Sequence, residues 1–189
     1  SIMIYGKDST TQKLKQITPD IIPFSPNTDD YNQGIALAIG DLDGTGGEQE
    51  IVVGSKTGSS LVKVFNKDGK RLQPDFYAYA PNYTGGIDLT VSDLDGTNGP
   101  MEIITIAQSY STHVRIFDRS GQPISSGFMA YPEYQNGKTS ITAIDIDNNQ
   151  DTTNQSLFIS PTSGPTQNRL YSKDSTLLSP GWYMIGIGE

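Results

Sequence analysis

Short apolar runs with alternating polarity, separated by breaks rich in Gly, Asp and Asn, organise the chain. Residues 34–40 (GIALAIG) alternate small Ala with large Ile and Leu, the period-2 pattern of a strand. Residues 50–54 (EIVVG) form a continuous apolar run, as a strand buried on both faces requires. Residues 61–65 (LVKVF) alternate again, and Asn66-Lys67-Asp68-Gly69 is a turn signal. Residues 76–79 (FYAY) supply an aromatic-rich fourth strand. No amphipathic helix of useful length is present. The weakest candidate, TQKLKQI at 11–17, is too short and polar to hold a helix alone.

This four-strand pattern recurs. Asp41-Leu42-Asp43-Gly44-Thr45 returns 52 residues on as Asp93-Leu94-Asp95-Gly96-Thr97, and again as Asp145-Ile146-Asp147-Asn148-Asn149. The register extends well beyond that loop. Glu50-Ile51 answers Glu102-Ile103, Val62 to Phe65 answers Val114 to Phe117, and Gly69 answers Gly121. Phe76, Ala78 and Tyr79 answer Phe128, Ala130 and Tyr131. One such unit cannot cover both its faces, whereas neighbours stacked around an axis can. The expected fold is therefore all-β, a β-propeller of four-stranded antiparallel blades with a 52-residue repeat. Residues 1–189 read as a single repeat domain, with blades at 34–85, 86–137 and 138–189.

Residues 1–33 read as a partial blade. Ile2 to Asp8 resembles Val62 to Asp68, strand three, and Phe24 stands in for strand four. Leu170 to Asp174 resembles strand three again, and Trp182 falls where Phe76 does. Half a blade plus three is not an obvious closed ring. The remainder of a longer propeller, or a second chain, is the partner this count suggests.

Composition narrows the chemistry. There is no Cys and one His, His113, so thiolate sites, disulfides and His-based metal sites are excluded or improbable. His113 reads as structural. A net charge of −8 repels phosphate backbones, so no nucleic-acid partner is expected. No run approaches the roughly 20 apolar residues of a membrane-spanning helix, and no membrane insertion is expected. The N-terminal SIMIYGKDS lacks the basic and apolar regions of a signal peptide.

The loop after strand one carries the candidate chemistry. The third reads Asp145-x-Asp147-x-Asn149-x-Asp151, with Asn154 behind it. Oxygen ligands at alternate positions of a tight loop are what Ca²⁺ needs, with a later carboxylate or amide closing the shell. The first loop offers Asp41, Asp43, Thr45 and Glu50, and the second offers Asp93, Asp95, Thr97 and Glu102. Thr45 and Thr97 contribute only neutral hydroxyls. The competing reading is a plain Asp-Gly turn, in which Asp accepts from its own downstream backbone. Gly44-Thr45-Gly46-Gly47 is not a phosphate loop, because no helix and no Lys-Ser/Thr ending follow.

The order strand, DxDG, EIVVG, VxVF, xxxG resembles the FG-GAP or VCBS repeat, as in the β-propeller of integrin α subunits and many bacterial surface proteins. The resemblance covers residues 24–189 clearly and 1–23 weakly. It implies Ca²⁺ bound between strands one and two through a DxDxDGxxD-type motif, at Asp41 and Asp43, Asp93 and Asp95, and Asp145, Asp147 and Asn149. Two departures stand out. The fifth position is Thr in two loops that run one residue longer, and the third loop lacks the Gly.

The function this resemblance implies is a calcium-binding extracellular or cell-surface adhesion module, without catalytic activity of its own. Its partner would be a protein or glycan ligand on a cell surface or matrix. The alternative is a lectin-type propeller using Tyr77, Tyr79, Tyr83, Tyr131, Tyr134 or Trp182, although strand-four aromatics more often pack between blades. A remoter alternative is a phosphohydrolase, since a strand ending in DLDGT resembles the first motif of haloacid-dehalogenase-like enzymes. Against it, the motif occurs twice and strands follow at once. Lys63 and Arg115 read as outward-facing on strand three, and Asn82-Tyr83-Thr84 and Asn154-Gln155-Ser156 fit the glycosylation sequon.

Overall fold

The computed structural model describes residues 1–25, 34–134, 137–145, 155–163 and 167–183, with side chains in the last stretch to residue 179. Among these residues there is no helix, and the chain is all-β. A hairpin of β1 (Tyr5–Lys7) and β2 (Leu14–Gln16) comes first. Three four-stranded antiparallel sheets follow, each a simple meander. The first holds β3 (Ile35–Gly40), β4 (Glu50–Ser55), β5 (Leu61–Phe65) and β6 (Phe76–Tyr77). The second holds β7 (Ile87–Ser92), β8 (Glu102–Ala107), β9 (His113–Phe117) and β10 (Phe128–Met129). The third holds β11 (Thr139–Ile144), β12 (Ser156–Pro161), β13 (Gln167–Tyr171) and β14 (Leu177–Tyr183). Among the described residues no sheet closes on itself, and the first strands β3, β7 and β11 lie beside one another.

Period-2 alternation explains the packing. In the first sheet Ala36, Val52, Val62 and Val64 point one way, toward Ile87, Leu89, Ile103 and Phe117 of the second. The second sheet's opposite face, Ile104, Ile106, Val114 and Ile116, meets Ile141, Leu157, Ile159 and Tyr171 of the third. The first sheet's other face, Ile51, Val53, Leu61 and Phe65, is covered by Ile21 and Phe24 from the N-terminal segment. Truncating one of these buried leucines or isoleucines to Ala costs about 2–5 kcal/mol. That cover is incomplete: Leu37 and Ile39 on β3 remain 46% and 55% exposed, while the register-equivalent Leu89 on β7 is 4% exposed.

Two side chains per unit tie consecutive sheets. Tyr79 donates its hydroxyl to the carbonyl of His113 and lies 3.4 Å from that of Thr105. One repeat on, Tyr131 reaches the carbonyls of Ile159 (3.0 Å) and Gln167 (2.7 Å). In the opposite direction Arg115 donates to the Ala78 carbonyl at 2.6 Å, and Arg169 to that of Ala130 at 2.7 Å. Burial pushes both the Tyr79 and Tyr131 hydroxyls above the ordinary tyrosine range.

These ties correct one expectation. Arg115 does not face outward. It is part-buried and bonds the preceding sheet. Lys63 is also largely covered: it pairs with Asp75 at 3.5 Å and its ammonium lies 4.9 Å from the centre of the Phe24 ring. Strand four is shorter than the sequence pattern suggests. Ala78 and Tyr79 leave the ladder, their N–H groups donating to the Ser60 carbonyl and hydroxyl at 2.9 and 3.1 Å. In the N-terminal segment Phe24 lies outside any strand, its ring buried against the first sheet. The stretch weighed as a helix at 11–17 contains β2 instead.

Candidate functional site

The acidic loops join the first and second strands of each sheet. In the first, β3 and β4 pair so that Gly40 lies opposite Glu50; in the second, Ser92 lies opposite Glu102. This register returns the glutamate to the mouth of the loop that its own sheet opened. Leu42, the middle residue of Asp41-Leu42-Asp43, is 1% exposed and anchors the loop in the core between the first two sheets. Leu94 does the same one repeat later.

Backbone N–H donors shape both loops. Asp41 accepts from Gly44 (2.7 Å) and Thr45 (3.3 Å) on Oδ1, and from Gly46 (2.7 Å) on Oδ2. Asp43 Oδ1 accepts from the Thr45 N–H at 3.1 Å, and Glu50 Oε2 from the Leu42 N–H at 2.7 Å. Gly44 at φ +69° is required by close approach as well as by conformation, because a Cβ there would stand 2.7 Å from the Pro100 backbone nitrogen. The Met101 N–H donates to the Asp41 carbonyl at 2.9 Å, so the second loop braces the first.

The second loop repeats this scheme. Asp93 accepts from Gly96 (2.8 Å), Thr97 (3.2 Å) and Asn98 (2.7 Å). Asp95 accepts from Thr97 at 3.0 Å, and Glu102 from Leu94 at 2.7 Å. The Asp-Gly turn therefore forms with protein groups alone, as the simpler reading requires. The role of the threonines becomes plain: hydrogen bonds from the Thr45 hydroxyl and N–H hold Asp43 below the usual carboxylate range. The Thr97 hydroxyl does the same for Asp95. Both threonines therefore contribute as donors to the carboxylates.

Stapling the turn does not use up the carboxylates, since each has about four lone-pair sites. Among the described residues, Asp41, Asp43 and Glu50 bring carboxylate oxygens within 4.8 Å of one another, a group that can hold a metal ion. The two aspartates are half-buried and Glu50 is buried. The donor set is all oxygen, which fits a hard divalent cation rather than zinc or copper. In the second loop Glu102 is pushed above its ordinary value, chiefly by burial and further by the charges of Asp95 and Asp93.

A cation from the following repeat faces each loop. Arg119, in the turn after β9, comes within 3.8 Å of Asp43. It helps to line a pocket of about 390 Å³ with Asp43, Glu50, Asn66 and Gln73. Lys173, in the turn after β13, lines the equivalent pocket beside Asp95 and Glu102. Neither cation was foreseen from the sequence, although Arg119 and Lys173 share a place in their turns that could have marked them. Of the third loop, Asp145 is exposed at the end of β11, while Asp147, Asn149, Asp151 and Asn154 lie outside the described residues. His113 sits as a structural residue, its Nε2 3.0 Å from the Ser126 carbonyl.

No protein-family model and no curated protein matches this chain. No helix among the described residues is long and apolar enough to cross a membrane.

Proposed function

We propose that the chain is a calcium-stabilised recognition module, built as part of a β-propeller and working outside the cell. The propeller reading is supported by three like meanders whose first strands run side by side and whose opposing faces fill one another. The observation that carries the calcium reading is the convergence of Asp41, Asp43 and Glu50 in a loop whose backbone is already fixed. Preorganisation means that a cation binds without first having to order the turn. Calcium accepts an irregular, carboxylate-rich oxygen shell, whereas Mg²⁺ demands near-ideal octahedral geometry. Extracellular work at a surface, with a protein or glycan partner, follows from the resemblance to FG-GAP repeats.

A phosphohydrolase role is disfavoured by the same loop. Asp41, the would-be nucleophile, staples a turn that leads straight into β4 rather than into a helix. The identical arrangement at Asp93 gives two copies of a site of which catalysis needs one.

Melting the protein with Ca²⁺, with Mg²⁺ and with chelator tests the proposal. A ligand at a hundredfold excess over its Kd stabilises the native state by about 2.7 kcal/mol. In a chain of this length that raises Tm by roughly 5–10 °C. A Ca²⁺-specific rise supports the reading. No shift leaves the loops as plain turns, and a rise with Mg²⁺ alone favours the phosphohydrolase.

A further inference from the structure

The turn between β8 and β9 holds a residue that its own repeat shows to be out of place. In the first sheet the corresponding turn, between β4 and β5, places Gly58 at φ +81°. The equivalent residue one 52-residue step later is Tyr110, at φ +63°. Both occupy the left-handed region, which is strained for a residue with a Cβ and which glycine enters freely. A tyrosine there has to be repaid. Packing does not repay it, because Tyr110 is 70% exposed, the second most exposed of the large apolar side chains described.

Its surroundings say what the ring is for. Tyr83 stands next to it, half-buried, its hydroxyl donating to the Ser109 carbonyl at 2.7 Å and accepting from the Ser109 N–H at 3.1 Å. Burial, and to a smaller degree the nearby Tyr110 hydroxyl, hold Tyr83 above the ordinary tyrosine range. On the other side Ser111 Oγ is 3.9 Å from the sulfur of Met129, itself 38% exposed. Of the turn Gln108 to Thr112, Gln108 and Thr112 are buried and donate their side chains to the Thr139 and Tyr131 carbonyls, so Ser109, Tyr110 and Ser111 are what it presents: an open ring and two hydroxyls without charge, in a chain of net charge −8. Tyr and Ser together are the usual composition of adaptable recognition loops: the ring supplies area at low entropic cost and the hydroxyls supply hydrogen bonds. A flat apolar face rimmed by neutral hydrogen-bonding groups is the complement of a pyranose ring, which has a C–H face and a hydroxyl edge.

From these observations we infer that the β8–β9 turn is a binding site for an uncharged sugar, with the Tyr110 ring as its stacking platform and Ser109 and Ser111 at its rim. The site deepens the recognition reading above and rests on it, but it does not depend on calcium.

The test uses the whole chain on an array of uncharged oligosaccharides ending in glucose, galactose, mannose, fucose or N-acetylglucosamine, run with Ca²⁺ and again with chelator. The expected result is saturable binding to at least one of these sugars in both buffers. Tyr110→Gly weakens it by about tenfold or more. Tyr110→Phe retains it. Tyr110→Gly also leaves Tm unchanged or raises it by about 2–4 °C, because glycine relieves the backbone strain. That second readout separates a binding residue from a structural one. The inference is overturned if no sugar binds, if Tyr110→Gly binds as well as the parent, or if Tyr110→Gly lowers Tm. Failure of the calcium reading is distinguishable, since it removes the metal-dependent Tm shift and leaves sugar binding in chelator intact.

Discussion

The first and second acidic loops hold their backbones with the same five hydrogen bonds, yet their carboxylates are differently disposed. In the first, Asp41, Asp43 and Glu50 converge within 4.8 Å; in the second, Asp93 and Glu102 are both 7% exposed and the three carboxylates do not form such a group. Neighbours account for part of the contrast. Arg119 stands 3.8 Å from Asp43, whereas Glu102 bears burial together with the charges of Asp95 and Asp93, with Lys173 acting on Asp95. A DxDG sequence therefore forms the same turn in both loops without fixing how closely the carboxylates converge.

The largest effect separates the glutamates from the rest of their loops. Glu50→Ala and Glu102→Ala each strip a buried backbone N–H, of Leu42 or Leu94, of its acceptor. Each is expected to lower stability by about 1–3 kcal/mol in chelator, read by urea unfolding. Equal stability in either variant would show that the glutamate does not close its loop.

Replacing the charge while keeping the acceptor gives a smaller effect and a sharper one. Glu102→Gln can still accept the Leu94 N–H, and it removes a carboxylate that burial disfavours. Its Tm in chelator should equal or exceed that of the parent, whereas Glu50→Gln should chiefly lose calcium response.

The pH dependence follows from the same groups. Asp43 and Asp95 sit below their ordinary values, so their contribution is present above the unfolded carboxylate range and is lost as pH falls through the lower folded values. Glu102 is raised, so its ionised form opposes folding, and that opposition is relieved as pH falls through its folded value. In chelator, Tm should therefore rise as pH falls from neutral toward the ordinary glutamate range, and fall once pH drops below the ordinary aspartate range. Saturating Ca²⁺ should flatten or reverse the first limb, since protons and metal compete for the same oxygens. A monotonic fall from neutral pH in chelator would contradict the state assigned to Glu102.

Removing the neighbouring cation gives the smallest effect. Arg119 is exposed and 3.8 Å from Asp43, so Arg119→Ala should change stability by no more than about 0.5 kcal/mol. It should tighten calcium binding at the first loop, as measured by competition with a chelating dye.

Much of this molecule was legible in its sequence, for identifiable reasons. Strands one to three of the first two units fall within a residue of their pattern, because the first and third strands alternate and the second, buried on both faces, is a continuous apolar run. Asp41, Asp43 and Glu50 were readable as a group, because the 52-residue register showed the glutamate travelling with its loop. The reach of Arg115 to the Ala78 carbonyl was not legible, since the angle between adjacent sheets decides it and no local period encodes that angle. The same holds for Tyr79, whose hydroxyl partners lie 26 and 34 residues away. Tyr110 was missed although a signal existed: aligning the repeats sets it against Gly58, and a bulky residue in a glycine's place marks a special backbone.

The most direct test of the account is a calorimetric titration of Ca²⁺ into the parent, Asp43→Asn and Asp95→Asn. Asparagine keeps the oxygen that accepts each threonine N–H while removing the charge. The account predicts saturable binding in the parent, at least about tenfold weaker at the first loop in Asp43→Asn and retained there in Asp95→Asn. Identical isotherms for the parent and Asp43→Asn, or no binding heat with the parent at several temperatures, would contradict it.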